Sequence, residues 1–134
     1  MYLYSSSSYL QMNNSYTTYK KLKAETFEKR LANTKTLRLK YPSKVPIIVY
    51  TKNNHIPITE KSKYLVEKGV SMAEFMHVLR KYIKIQNNES IFLFTEKNTI
   101  PASSVLISAI YDEHKNEDGF LYLEYNVENT FGTL

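Results

Sequence analysis

Apolar and polar positions change their period several times along this chain, and each change marks an element. Phe27, Leu31, Thr34 and Leu37 recur at i, i+4, i+7 and i+10, one stripe of a helix over Phe27–Lys40, with Lys29, Lys35, Arg38 and Lys40 on the other side. Tyr41-Pro42 closes it, because a residue before proline resists the helical region. A shorter helix precedes it over Tyr19–Ala24. Val45-Pro-Ile-Ile-Val-Tyr50 is β-branched and reads as a strand, with Pro46 near its start where a missing N–H is tolerated. Lys52-Asn-Asn-His55 is turn chemistry and predicts a hairpin back through a strand at Ser62–Val66. Strict alternation there puts Lys63 and Leu65 on one side, Tyr64 and Val66 on the other.

Ser71-Met-Ala-Glu74 has the capping-box spacing and opens a helix to about Lys84, with Phe75, Val78, Leu79, Tyr82 and Ile83 facing inward. Ser90–Phe94 reads as a strand. Ser103 or Ser104 caps a helix through Tyr111, and Asp112–Asp118 is a charged loop. From Phe120 to Tyr125 apolar residues fall on both faces, the mark of a strand buried in mid-sheet. The order is helix, helix, strand, strand, helix, strand, helix, strand. Its last six elements run in ubiquitin-like β-grasp order. Strand–helix–strand crossovers require parallel pairing, so the fold class is α+β: a four-stranded mixed sheet with two extra N-terminal helices.

Composition narrows the chemistry. At 134 residues and 43% apolar, the chain holds one domain. Residues 1–18 are rich in Tyr, Ser and Asn, carry no charged side chain and read as a flexible extension; residues 19–134 form the body. With no cysteine, disulfides, thiolate metal sites and cysteine nucleophiles are excluded, which is compatible with a reducing cytosol. His55, His77 and His114 lack metal-ligand spacing, and no phosphate-binding glycine loop or nucleophile motif occurs, so no catalysis, metal or cofactor is assigned. The segment Lys20–Lys44 carries nine Lys or Arg against two Glu, more positive than the whole chain's +5. Such a face favours acidic partners. A nucleic-acid binder is therefore one alternative, disfavoured by the absence of a recognised motif.

Four stretches stand in the order and at the spacing of one known family: Lys63-Tyr-Leu-Val66, Phe75-Met-His-Val-Leu-Arg-Lys81, Ser108-Ala-Ile-Tyr-Asp-Glu-His114, and Phe120-Leu-Tyr-Leu-Glu-Tyr125 with Glu128-Asn-Thr-Phe-Gly132. From about Tyr19 to Leu134 the chain resembles the autophagy-related protein eight family, the GABARAP and microtubule-associated light-chain group of ubiquitin-like modifiers. The resemblance implies cleavage of the Gly132–Thr133 bond by a processing cysteine protease. It then implies transfer of Gly132, through activating and conjugating enzymes, to the amine of phosphatidylethanolamine. It also implies capture of aromatic-x-x-aliphatic peptides from cargo receptors. The aromatic pocket would comprise Leu37, Pro46, Lys63, Leu65 and Phe120. The aliphatic pocket would comprise Tyr64, Val66, Val70, Phe75, Val78 and Leu79, with Lys61, Lys63 and Arg80 favouring acidic flanks. The lipidated form would sit on autophagosome membranes and the free form in the cytoplasm. Asn33, Glu67, Tyr82 and Ala102 depart from the family pattern in ways that bear on ligand choice, and the long N-terminal extension could cover the groove or compete for it. A protein-conjugated modifier and an unconjugated binding module remain the alternatives of this class.

Overall fold

The computed structural model describes the backbone of residues 2–3 and residues 15–53, 55–57, 59 and 61–129. Its elements are β1 (Tyr2–Leu3), α1 (Ser15–Ala24), α2 (Phe27–Lys40), β2 (Lys44–Tyr50), β3 (Lys63–Glu67), α3 (Met72–Leu79), β4 (Glu89–Phe94), α4 (Ile107–His114) and β5 (Leu121–Asn129). The sheet runs in the order β1-β3-β2-β5-β4. β2 pairs antiparallel with β3 and parallel with β5, Ile47 facing Leu121 and Val49 facing Leu123, and β5 pairs antiparallel with β4. The four strands β2–β5 form the mixed β-grasp sheet expected from the element order, and two-residue β1 extends it beyond β3.

The sheet is packed on both faces. On one, Ile47, Val49, Tyr64, Val66, Leu121, Leu123 and Tyr125 meet Phe75 and Leu79 of α3 and Ile107, Ile110 and Tyr111 of α4. On the other, Ile48, Tyr50, Phe120 and Tyr122 meet Leu22 of α1, with Tyr16 and Tyr19 against them. Successive residues of β2 and of β5 thus feed opposite cores, which is why neither strand shows a polar alternation. Tyr19 stacks on Tyr50 at 3.9 Å between centroids and meets Tyr122 edge-on at 5.8 Å. Such pairs contribute about 0.5–1.5 kcal/mol each beyond burial. Burial raises the Tyr50 and Tyr122 hydroxyl pKa values well above the ordinary range for tyrosine.

Local chemistry accounts for most element ends. Thr26 caps α2 by accepting the Lys29 N–H at 3.2 Å. Both halves of the Ser71–Glu74 capping box are made, at 3.1 and 3.0 Å. Asn53 accepts the His55 N–H within the β2–β3 connection. Three expectations need correction. First, α1 begins at Ser15, so Ser15–Thr18, placed with the extension, is helical. Residues 1 and 4–14 of that extension lie outside the described residues. Second, α3 ends at Leu79 rather than near Lys84. Lys81 and Tyr82 donate to the carbonyls three residues back, and the tightened chain delivers Ile83 to an antiparallel bridge with Thr59. Third, neither Ser103 nor Ser104 caps α4, which starts after Leu106 and runs to His114 into the expected charged loop. Its first N–H groups are taken by tertiary partners instead: Ile107 donates to the Val70 carbonyl at 2.7 Å and Ser108 to that of Lys68 at 3.3 Å. Ser103 serves α3, its carbonyl accepting the Ala73 N–H at 2.9 Å.

A buried ion pair pins the helical pair to the sheet, and the more exposed Lys23–Glu96 pair, at 3.4 Å, ties α1 to the turn after β4. Asp118, fully buried in the turn before β5, accepts from Arg30 Nε at 2.9 Å, from the Phe120 N–H at 2.9 Å and from the Tyr122 hydroxyl at 2.5 Å. Arg30 Nη1 donates in turn to the Lys23 and Glu25 carbonyls at the α1–α2 junction. The Thr34 hydroxyl donates to the Asp118 carbonyl at 2.5 Å, and the adjoining Gly119 (φ +94°) leaves no room for a side chain, since a Cβ there would stand 2.2 Å from Thr34 Oγ1. Arg30→Ala, by leaving the Asp118 carboxylate buried without its cation, is expected to cost about 3–5 kcal/mol. That corresponds to a melting temperature lower by roughly 10–20 °C. A fall of under about 3 °C in thermal denaturation would show that the pair does not hold the helices in place.

Candidate functional site: the β3 edge and its flanks

β3 carries the site because its two faces and its outer edge lead to different places. Tyr64 and Val66 point to the α3 side, where Tyr64 meets Phe75 edge-on at 5.5 Å and donates its hydroxyl to the Lys61 carbonyl at 2.9 Å. Leu65 and Lys63 point to the α2 side. Of the residues expected in an aromatic pocket, Pro46, Leu65 and Phe120 are buried, the last two at 1% exposure, while Leu37 and Lys63 are half-buried.

The residues expected in an aliphatic pocket divide in two. Tyr64, Val66, Phe75 and Leu79 lie at 0–1% exposure within the main core. Val70 and Val78 are half-buried and line an open depression of about 500 Å³ together with Ala73, Glu74 and His77. None of these three was assigned to a peptide pocket from the sequence, where Glu74 is read as a cap and His77 as no metal ligand; His77 follows Ala73 and Glu74 by one helical turn on the exposed side of α3, and that spacing is the available signal. Glu74 is committed to the Ser71 cap, and hydrogen bonding by the Ser71 backbone and side chain holds its pKa below the usual carboxylate value. Arg80 is exposed and donates to the Glu89 carbonyl at 3.3 Å. Lys61 is half-buried, its carbonyl taking both the Tyr64 and the Thr59 hydroxyls.

Lys63 is the residue a packing account leaves over. Its amine is half-buried, and no carboxylate among the described residues pairs with it within 4 Å. Burial lowers its pKa, opposed by the more distant charge of Glu25. Among the described residues the cation is partly desolvated with no carboxylate against it, the arrangement that an incoming anion relieves.

A family profile described as "Autophagy protein Atg8 ubiquitin like" matches residues 29–132. The chain belongs to the Atg8 family. It is 46% identical over 110 residues to autophagy-related protein 8 of Mycosarcoma maydis, covering 81% of this chain and 92% of that protein. It is 45% identical over 108 residues to autophagy-related protein 8a of Arabidopsis thaliana, covering 80% and 88%. Among solved structures it resembles Trypanosoma brucei ATG8 (TM-score 0.72, 34% identity, 81% of this chain and 94% of that one). It also resembles Plasmodium falciparum Atg8 in complex with a peptide of Plasmodium falciparum Atg3 (TM-score 0.69, 33% identity, 76% and 90%). Atg8 proteins are ubiquitin-like modifiers and not enzymes. Gly132, the residue expected at the conjugated end, lies outside the described residues, which reach Asn129 at the end of β5.

An unpaired half-buried ammonium destabilises the fold wherever it is charged. Because its folded pKa is depressed, stability should rise with pH through the window between that pKa and the ordinary lysine value of 10.5. Lys63→Met removes the cost at neutral pH while keeping an apolar stem, and the expected result is a melting temperature higher by about 2–4 °C. A lower melting temperature would show that the ammonium is satisfied in the free protein.

Proposed function

We propose that this Atg8-family chain is cleaved after Gly132, joined to phosphatidylethanolamine, and acts in autophagosome formation as a membrane-bound adaptor for aromatic-x-x-aliphatic peptides. The observation that carries the reading is the pair formed by the two ends of the body. β5, central in the sheet, leads directly into Glu128-Asn-Thr-Phe-Gly132, and the family match stops at Gly132, leaving Thr133 and Leu134 beyond it. On the far side of the sheet Lys63 opens β3, whose outer backbone is met only by the two-residue β1.

The chemistry follows from a glycine end. A protease adds water across the Gly132–Thr133 amide, releasing Thr133-Leu134 and a Gly132 carboxylate. The activating enzyme, using a nucleoside triphosphate, adenylates this carboxylate with release of pyrophosphate, and an enzyme thiol then displaces the nucleoside monophosphate to form a thioester. The lipid amine attacks the thioester carbonyl, forms an amide and expels the enzyme thiol. Glycine suits each step, because the absence of Cβ lets its carbonyl enter a narrow site and be approached from either face. A two-chain lipid, at about 0.8 kcal/mol per buried methylene, then anchors stably a protein whose described helices include none long and apolar enough to cross a membrane. The partners are a processing cysteine protease and activating and conjugating enzymes. The Atg3 peptide held by the Plasmodium relative supports a conjugating enzyme with an exposed peptide segment. Cargo receptors would use the same edge by adding a strand to it. The protein would be cytoplasmic until lipidated.

Intact mass of the cell-derived protein tests the covalent steps. The expected species has lost Thr133-Leu134 and gained the lipid, and Gly132→Ala should retain the full-length mass and fail to partition to membranes. Unchanged membrane partitioning of Gly132→Ala, or a mass corresponding to attachment to another protein, would overturn the lipid reading. The adaptor role has its own measurement. Calorimetric titration of an acidic aromatic-x-x-aliphatic peptide should show about tenfold weaker binding to Lys63→Glu than to the wild type, since about 1–2 kcal/mol is expected for a part-exposed charge reversal. Equal affinity at low salt would place the peptide elsewhere.

A further inference from the structure

The edge of β3 already has an occupant. Tyr2 stands opposite Leu65 and Leu3 opposite Tyr64 in an antiparallel pair, and β1 has no other strand beside it. The ladder on the inner side shows which groups this pairing uses. Val49 N–H donates to the Ser62 carbonyl at 2.8 Å and Lys68 N–H to the Ser43 carbonyl at 3.0 Å. Residues 62, 64, 66 and 68 therefore turn their backbone groups toward β2, and Lys63, Leu65 and Glu67 turn theirs outward. Tyr2 faces Leu65, so β1 meets β3 at a position where the outer N–H and C=O are both presented. These are the groups a peptide adding a strand would need.

We infer that the N-terminal segment is a built-in competitor for the peptide edge, displaced by ligands that bring negative charge. This deepens the adaptor reading and rests on it. Three observations give the competition its character. A two-residue strand is marginal by itself. It is tethered, with eleven residues between Leu3 and Ser15, so its effective concentration lies in the millimolar range typical of short linkers. Finally, Met1–Thr18 contains no Asp or Glu, so the segment, which pairs with β3 through Tyr2 and Leu3, brings no carboxylate to the half-buried Lys63 ammonium. A peptide with an acidic flank supplies both. The tether thus sets a threshold: strands that offer only backbone bonds lose to a segment permanently at hand, and acidic strands win by the extra charge contact.

The test uses deletion of residues 1–14, which leaves α1 whole, and Tyr2→Pro in the full chain, which removes the Tyr2 N–H from the pair. If the edge is shut for most of the time, apparent affinity falls by the open fraction whatever the peptide. Deletion and Tyr2→Pro should each raise affinity about 3- to 10-fold, by the same factor for acidic and uncharged versions of one peptide. Amide exchange at Leu65 gives a readout independent of any ligand: it should accelerate by a comparable factor in both variants. Equal affinity together with unchanged Leu65 exchange would overturn the proposal. If no form of the protein binds the peptide, the adaptor reading fails, and Leu65 exchange alone then decides: acceleration on deletion retains the segment as the cap of this edge, and no change removes it.

Discussion

The buried pair of Arg30 and Asp118 is the constraint on which the rest of this molecule depends. A carboxylate with no solvent access is tolerated only because a guanidinium, a backbone N–H and a phenol all converge on it. Those donors come from α2 and from the start of β5, so satisfying one charge fixes the helical pair to the strand in the middle of the sheet. Arg30 also closes the junction between α1 and α2 through two carbonyls. The result is a sheet covered on both faces, with β3 left toward one side to accept another strand.

That arrangement also explains why the site is economical in residues. Most side chains named for the peptide pockets are structural. Tyr64, Val66, Phe75 and Leu79 hold α3 to the sheet, and Leu65 and Phe120 fill the α2 side. The parts left to answer a ligand are the outward backbone of β3, met only by two-residue β1, the depression beside Val70 and Val78, and Lys63, which pairs with no carboxylate among the described residues. A binding event here must either remain at the backbone and charge level or shift α2 to open the aromatic side.

Element types were legible because their periods are clear: the capping box of α3 and the two-faced apolar run of β5 stand where expected, and α2 is a helix over its stated range, though of its stripe only Thr34 is buried and Phe27 is exposed. What failed had tertiary causes. The cap of α4 is the carbonyl of Val70, far away in sequence, so neither nearby serine marks its start. The end of α3 depends on Ile83 reaching Thr59, which propensity does not encode. Tyr16 looked like part of a polar extension because its partner, the Tyr19–Tyr50 stack, is assembled only when α1 lies on the sheet. For the site, Lys63 stood out in the sequence as a charge between apolar strand positions, and no carboxylate among the described residues pairs with it. The division of the pocket residues between core and depression depends on packing and was not readable.

The central claim is that the outer edge of β3, and not the basic face of α2, receives the ligand. The most direct measurement is backbone amide chemical-shift mapping of the full chain titrated with an acidic aromatic-x-x-aliphatic peptide. The account predicts the largest perturbations at Lys63, Leu65 and Glu67, extending to Val70 and Val78 and to the amides of Tyr2 and Leu3. Perturbations confined to Lys35, Arg38 and Lys40, with Leu65 unmoved, would contradict it.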